Sequence, residues 1–118
     1  MARTVQFKGN FTVLDATGKN IETNKAVLWT VNVNQKVDLL EIFPVATPDT
    51  LLPMNGLTQL ACAYLNPDAP ITVKLNSPAS APSIVNGPTV LFGTITGIYV
   101  STPGAVAPVT LEAILAGP

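Results

Sequence analysis

The sequence predicts an all-β chain, an antiparallel β-sandwich of jelly-roll-like arrangement with seven to nine short strands. Three observations lead there. Segments rich in Val, Ile, Thr and aromatic residues alternate apolar and polar side chains with the period of two that a pleated strand imposes. Eleven prolines divide those segments, as turns divide strands. Helix signals are nearly absent, and no internal repeat is visible. A chain of 118 residues suits one domain with one core. Residues 1–118 are therefore read as a single β-sandwich, with residues 1–10 as a candidate N-terminal arm.

Taken in order, TVQFKG and FTVLD run into DATGKN at 15–20, whose Asp, Gly and Asn suit a tight reversal and predict a hairpin. AVLWTVNVNQ follows, with Val27, Trp29, Val31 and Val33 on one face and Leu28, Thr30, Asn32 and Asn34 on the other. KVDLLEIFPV could supply a helical turn, but Pro44 and the β-branched neighbours favour an extended strand. ATPDTLLPMNG, residues 46–56, reads as a long surface connection.

LTQLACAYLN and PITVKLN, joined by NPDA at 66–69, predict a second hairpin, because proline at the second turn position presets the dihedral of a type I turn. In its second arm Ile71, Val73 and Leu75 should face inward, with Thr72 and Lys74 outward. NSPASAPSIVNGP, 76–88, is a loop long enough to cross between sheets. TVLFGTITGIYVST, 89–102, divides into strands near 89–93 and 95–101, and Gly93 and Gly97 suggest a bulge, a sharp bend or a close backbone approach. STPGAVAP turns the chain. PVTLEAILAG closes it, with Val109, Leu111, Ala113 and Leu115 on one side.

Apolar residues make up 47% of the chain and ionisable ones only 11%, against about 25% in ordinary soluble domains. Past residue 50 only Asp68, Lys74 and Glu112 are charged. A surface so poor in charge is expected to be covered by other protein. The uncharged stretch at 89–102 is the expected contact, with Leu91, Phe92, Ile95, Ile98, Tyr99 and Val100 as candidate interface residues. Six scattered basic residues offer little to a phosphate backbone, so nucleic acid is not an expected partner. No membrane is expected either, since no apolar run reaches the roughly 18 residues of a span and MARTVQFKGN has no signal-like apolar core.

Chemistry is sparse. There is no histidine, which removes the commonest general base and most transition-metal sites. The lone Cys62 lacks an activating partner and reads as a small core residue. Asp38 and Glu41 would point to opposite faces of a strand, while Asp15, Asp49, Asp68 and Glu112 read as turn, loop or solvated acids before catalytic ones. No phosphate-cradling loop is present, because GTITG lacks the lysine and the glycine spacing. No catalytic, cofactor or metal residue is assigned. Trp29 and Tyr64 read as core rings, leaving Tyr99 as the candidate stacking platform.

The stretches NGLTQLACAYLNPDAPITVKLN, PTVLFGTITGIYVST and VTLEAILAG, within residues 55–116, resemble in strand texture the small structural proteins of tailed bacteriophage particles. In these, short β-sandwich chains decorate or cement capsids, or build fibres and other tail parts. The resemblance implies a non-enzymatic virion component made in the host cytoplasm. It implies as partners further copies of the chain, often as a trimer, and a major capsid protein or other virion protein. It transfers no functional residue. Capsid decoration is the expected role; the alternative is a tail or fibre module that meets a host glycan through Tyr99 and loops 46–56 or 76–88.

Overall fold

The computed structural model describes residues 3–11, 16–18 and 25–118. Among them lie ten strands: β1 (Arg3–Phe11), β2 (Lys25–Val33), β3 (Gln35–Phe43), β4 (Thr50–Leu51), β5 (Leu60–Pro67), β6 (Ile71–Leu75), β7 (Ser83–Val85), β8 (Thr89–Ile95), β9 (Ile98–Ser101) and β10 (Val109–Gly117). The first two form the predicted N-terminal hairpin, pairing antiparallel from Arg3 opposite Val33 to Phe11 opposite Lys25. Most of the expected reversal at 15–20 lies outside the described residues. Residues 3–10 of the expected arm are taken up in β1, paired to β2 of the same chain.

The remaining eight strands nest. β3 pairs with β10, β4 with β9, β5 with β8 and β6 with β7, all antiparallel, and the pairs β10–β5 and β9–β6 roll this double ribbon into two sheets. Their orders are β3-β10-β5-β8 and β4-β9-β6-β7. This is jelly-roll connectivity, the chain passing back and forth between two sheets except at the β6–β7 hairpin. The described residues hold ten strands, one more than the expected seven to nine: eight make the sandwich and the hairpin adds two.

Rolling corrects one expectation. β5 and β6 do not form a hairpin: they belong to different sheets. The linking turn is held by β10 instead, with the Asp68 amide donating to the Thr110 carbonyl at 3.0 Å and the Thr110 amide donating to Asp68 Oδ1 at 2.9 Å. Pro70 has no N–H with which to continue a ladder back onto β5. Two short strands also sit where only loops were expected, β4 inside 46–56 and β7 inside 76–88.

Bulge and corner geometry follow the glycines. Between the pairs Leu60–Ile95 and Cys62–Phe92, β5 advances two residues while β8 advances three. The extra residue falls at Gly93, whose φ of 126° only glycine adopts without strain. Immediately beyond, the chain leaves one sheet for the other, and Asn76 holds that corner. Its Oδ1 accepts from the Thr96 amide at 2.7 Å, and its own amide donates to the Gly97 carbonyl at 2.8 Å.

The core lies between the sheets. Along β10 the residues read as sharing one side, Val109, Leu111, Ala113 and Leu115, are buried; on β6 Ile71 and Val73 are buried as expected and Leu75 is half-buried against the core. Among the described residues every buried apolar side chain except Val33 and Phe43 comes from residue 52 or later. Charge depletion of the second half therefore has an internal cause, since those residues supply the core of the chain itself. Conversely, Phe7, Leu28, Trp29, Leu40, Ile42 and Val45, all from the first half, are exposed.

Candidate functional site

Alternation along each strand assigns the outer face of the β3-β10-β5-β8 sheet. Leu115, Ala113 and Leu111 point inward, so Ala116, Ile114 and Glu112 point outward. By register Cys62, Tyr64 and Asn66 of β5, Val90 and Phe92 of β8, and Leu40 and Ile42 of β3 join them. The N-terminal hairpin crosses one end of this face. Only Asn34 separates β2 from β3, and its amide donates to the Gly117 carbonyl at 2.9 Å, fixing the hairpin's root. From there Val33, Val31 and Val5 pack on Cys62 and Ala116, and Trp29 stacks on Phe92 with ring centroids 4.7 Å apart.

Cover is incomplete. Between hairpin and sheet runs an apolar groove of about 230 Å³, lined by Val5, Phe7, Tyr64, Val90, Ile114 and Ala116 among others. Trp29, read from the sequence as a core ring, is 52% exposed, because the hairpin reaches the sheet edge at Phe92 and there is no strand beyond to cover the far side of the indole. At the other end none of the described residues covers Leu40 and Ile42, which are 71% and 66% exposed although they sit on regular strand. Glu112, the cross-strand neighbour of Leu40, is also exposed. Lys36 and Asp38 pair with each other at 3.1 Å.

Of the six interface residues expected from the sequence, Ile95, Ile98 and Val100 lie in the core and touch no solvent that a partner could displace. The reason is parity: 98 and 100 face inward on β9, and the bulge at Gly93 returns Ile95 to the inner side. Leu91 is half-buried against the same core. Phe92 is half-buried under Trp29. Tyr99 is half-buried on the outer side of the second sheet, where a Cβ added at Gly97 would meet both Tyr99 and exposed Leu51. On that sheet Lys74, the cross-strand partner of Tyr99, donates to Asp49 at 2.8 Å. The expected stretch thus splits into core, hairpin seat and one surface ring.

The exposed pair Leu40 and Ile42 was missed, although a signal existed. In KVDLLEIF apolar residues occupy both parities, Val37, Leu39 and Phe43 inward and Leu40 and Ile42 outward, where a half-buried strand alternates.

The acids do not converge. Asp49, Asp68 and Asp38 are engaged as described, and among the described residues no group of three or more His, Cys, Asp or Glu could hold a metal. Asp15 lies outside the described residues. Cys62 is buried beneath the hairpin, and that burial pushes its thiol pKa up, away from the thiolate a nucleophile needs. No helix among the described residues is long and apolar enough to cross a membrane. No protein-family model matches the chain, and no curated protein matches it at a significant level.

Proposed function

We propose that the chain is a non-enzymatic structural subunit of a virion, a capsid decoration protein of the tailed-bacteriophage type, which works by contact area. The supporting observation is the exposure of Leu40 and Ile42 on a regular strand of a sheet whose outer face is half-covered by a hairpin and elsewhere carries Asn66, Glu112 and the Lys36–Asp38 pair. Exposed apolar surface contributes about 25 cal/mol for each Å² removed from water, so such a face holds a partner without a specialised pocket. Jelly rolls recur in viral capsid and lectin domains, which agrees with this reading by analogy of fold alone. Symmetric repetition over a shell multiplies a weak contact through avidity.

The test uses shells assembled without the chain. Purified chain is added, and the particles are imaged and heated. Extra density on the shell and a higher disruption temperature are expected; density at the tail alone, or none, overturns the proposal. A second reading, a glycan-binding tail or fibre module, draws on the partly exposed Tyr99 ring beside Leu51 and the Lys74–Asp49 pair. Retention on host glycans that Tyr99→Ala abolishes would favour it.

A further inference from the structure

We propose that the free edge of β3 pairs antiparallel with β3 of a second copy about a two-fold axis, joining two four-stranded sheets into one of eight. Self-pairing of this kind goes beyond the decoration reading and does not depend on it. In the order β3-β10-β5-β8, β3 has a neighbour on one side only, so on the other side its backbone N–H and C=O groups have no ladder partner among the described residues. The hairpin is not that partner. From Val33 on Cys62 and Ala116 to Trp29 on Phe92 it runs over β10, β5 and β8, away from β3. An unpaired edge specifies what satisfies it, since another extended strand presents donors and acceptors at the same spacing.

The sheet edges differ in how they are protected. β4 has two residues and β7 three, too short to template a long ladder. β8 carries the bulge at Gly93, and Trp29 lies over its Phe92. β3 has neither protection. Gln35–Phe43 is nine residues without proline or glycine, about 30 Å long, and its register against β10 runs unbroken from Gln35–Gly117 to Phe43–Val109. Proteins that stay monomeric blunt such edges. Here the strand instead holds Leu40 and Ile42 on its outer side, 71% and 66% exposed.

A two-fold axis leaves few registers. Outer side chains must stay outer, so each residue meets one of its own parity and the axis passes through a residue of β3. Centring on Asp38 or Glu41 sets like charges directly opposite each other, which is destabilising. Centring on Val37 leaves Leu40 opposite Asn34, outside the strand, and centring on Leu39 sets Leu40 opposite Asp38 and Ile42 opposite Lys36. Centres nearer either end overlap too few residues. Centring on Leu40 brings the two Leu40 side chains together with both Ile42 side chains diagonal to them, and on the inner side sets Val37 opposite Phe43 and Leu39 opposite Glu41. That register gathers the most apolar surface, and the four outer side chains form one patch on a face still open to a shell.

Sedimentation of the purified full chain over a concentration series, with no shell present, should show a monomer–dimer equilibrium. Hydrogen exchange on the same series carries the signature of edge pairing: along β3 every second amide, those turned away from β10, gains protection as the dimer forms. Leu40→Lys and Leu40→Glu each place like charges on the axis and should raise the dissociation constant tenfold or more, with an unchanged circular dichroism spectrum because the side chain is exposed. Mixing the two variants should restore a dimer. A chain that stays monomeric at high concentration overturns the proposal, as does a dimer without alternating protection in β3 or a pair of variants that fails to recover on mixing. Shell binding by a monomeric chain would leave the decoration reading standing and remove only this contact.

Discussion

Trp29 of the hairpin lies on Phe92 of β8 with ring planes 25° from parallel and centroids 4.7 Å apart. Among the described residues, the covalent link and hydrogen bond at Asn34, the small cluster of Val33, Cys62 and Ala116 with Val5 and Val31, and this stack hold the hairpin to the sandwich. An aromatic pair contributes about 0.5–1.5 kcal/mol beyond its buried area. Trp29→Ala should therefore release the hairpin while the sandwich stays folded. Hydrogen exchange is the measurement: amides of β1 and β2 lose protection and those of β5 and β10 keep theirs. Uniform loss throughout the chain would mean that hairpin and sandwich unfold as one unit.

Cys62 reports the same opening chemically. Its thiol is buried beneath the hairpin, so alkylation should be slow in the native chain and faster in Trp29→Ala. Its pKa is raised above the ordinary 9.0 by desolvation. As pH rises through that ordinary value the unfolded chain loses its thiol proton before the folded chain does. The folded state then binds more protons, and stability falls with increasing pH. The contribution is complete below about pH 9 and lost above it. Urea titrations at pH 8 and pH 10 should show a decline that Cys62→Ala lacks.

Gly117 sits where a Cβ would run into the Gln59 carbonyl oxygen, a backbone atom that cannot swing aside. Gly117→Ala should cost at least the roughly 1–3 kcal/mol typical of overpacking, by displacing β10 or the segment before β5. Gly93→Ala meets no atom within 4 Å but must hold φ near 126°, so its cost is dihedral strain of about 1–3 kcal/mol. Thermal melts compare both with a surface control, Leu40→Ala, which should stay within about 0.5 kcal/mol of the parent.

Parity along strands made the core legible: Val109, Leu111, Ala113 and Leu115 were assignable from the sequence because a strand between two sheets must present one apolar side inward. Gly93 was legible as a break in regular strand, a bulge, a sharp bend or a close backbone approach, because a strand interior rarely tolerates glycine; the register of β5 and β8 shows the bulge. Sheet membership was not. The NPDA turn looks the same whether the chain folds back on itself or changes sheets, and only the long-range bonds between Asp68 and Thr110 decide it. Surface assignment failed for a related reason. Charge depletion after residue 50 fits burial against a partner and burial inside the chain equally well, and Ile95, Ile98 and Val100 took the second course. Leu40 and Ile42 are identified as outward only once Leu111 and Ala113 fix which side of β3 is inner.

Thr102 supplies the last prediction. It is buried, and it ties the β9–β10 connection to the β3–β4 connection across the end of the sandwich. Its Oγ1 accepts from the Thr47 amide at 2.9 Å, and its own amide donates to the Thr47 carbonyl at 3.0 Å. Valine preserves the volume and removes the hydroxyl, stranding the Thr47 N–H. That should cost about 1–3 kcal/mol, read as a lowered melting temperature. Serine keeps the oxygen and loses only a methyl, so Thr102→Ser should cost about 1 kcal/mol. If serine proved as damaging as valine, packing of the methyl rather than the hydroxyl would be holding the two loops together.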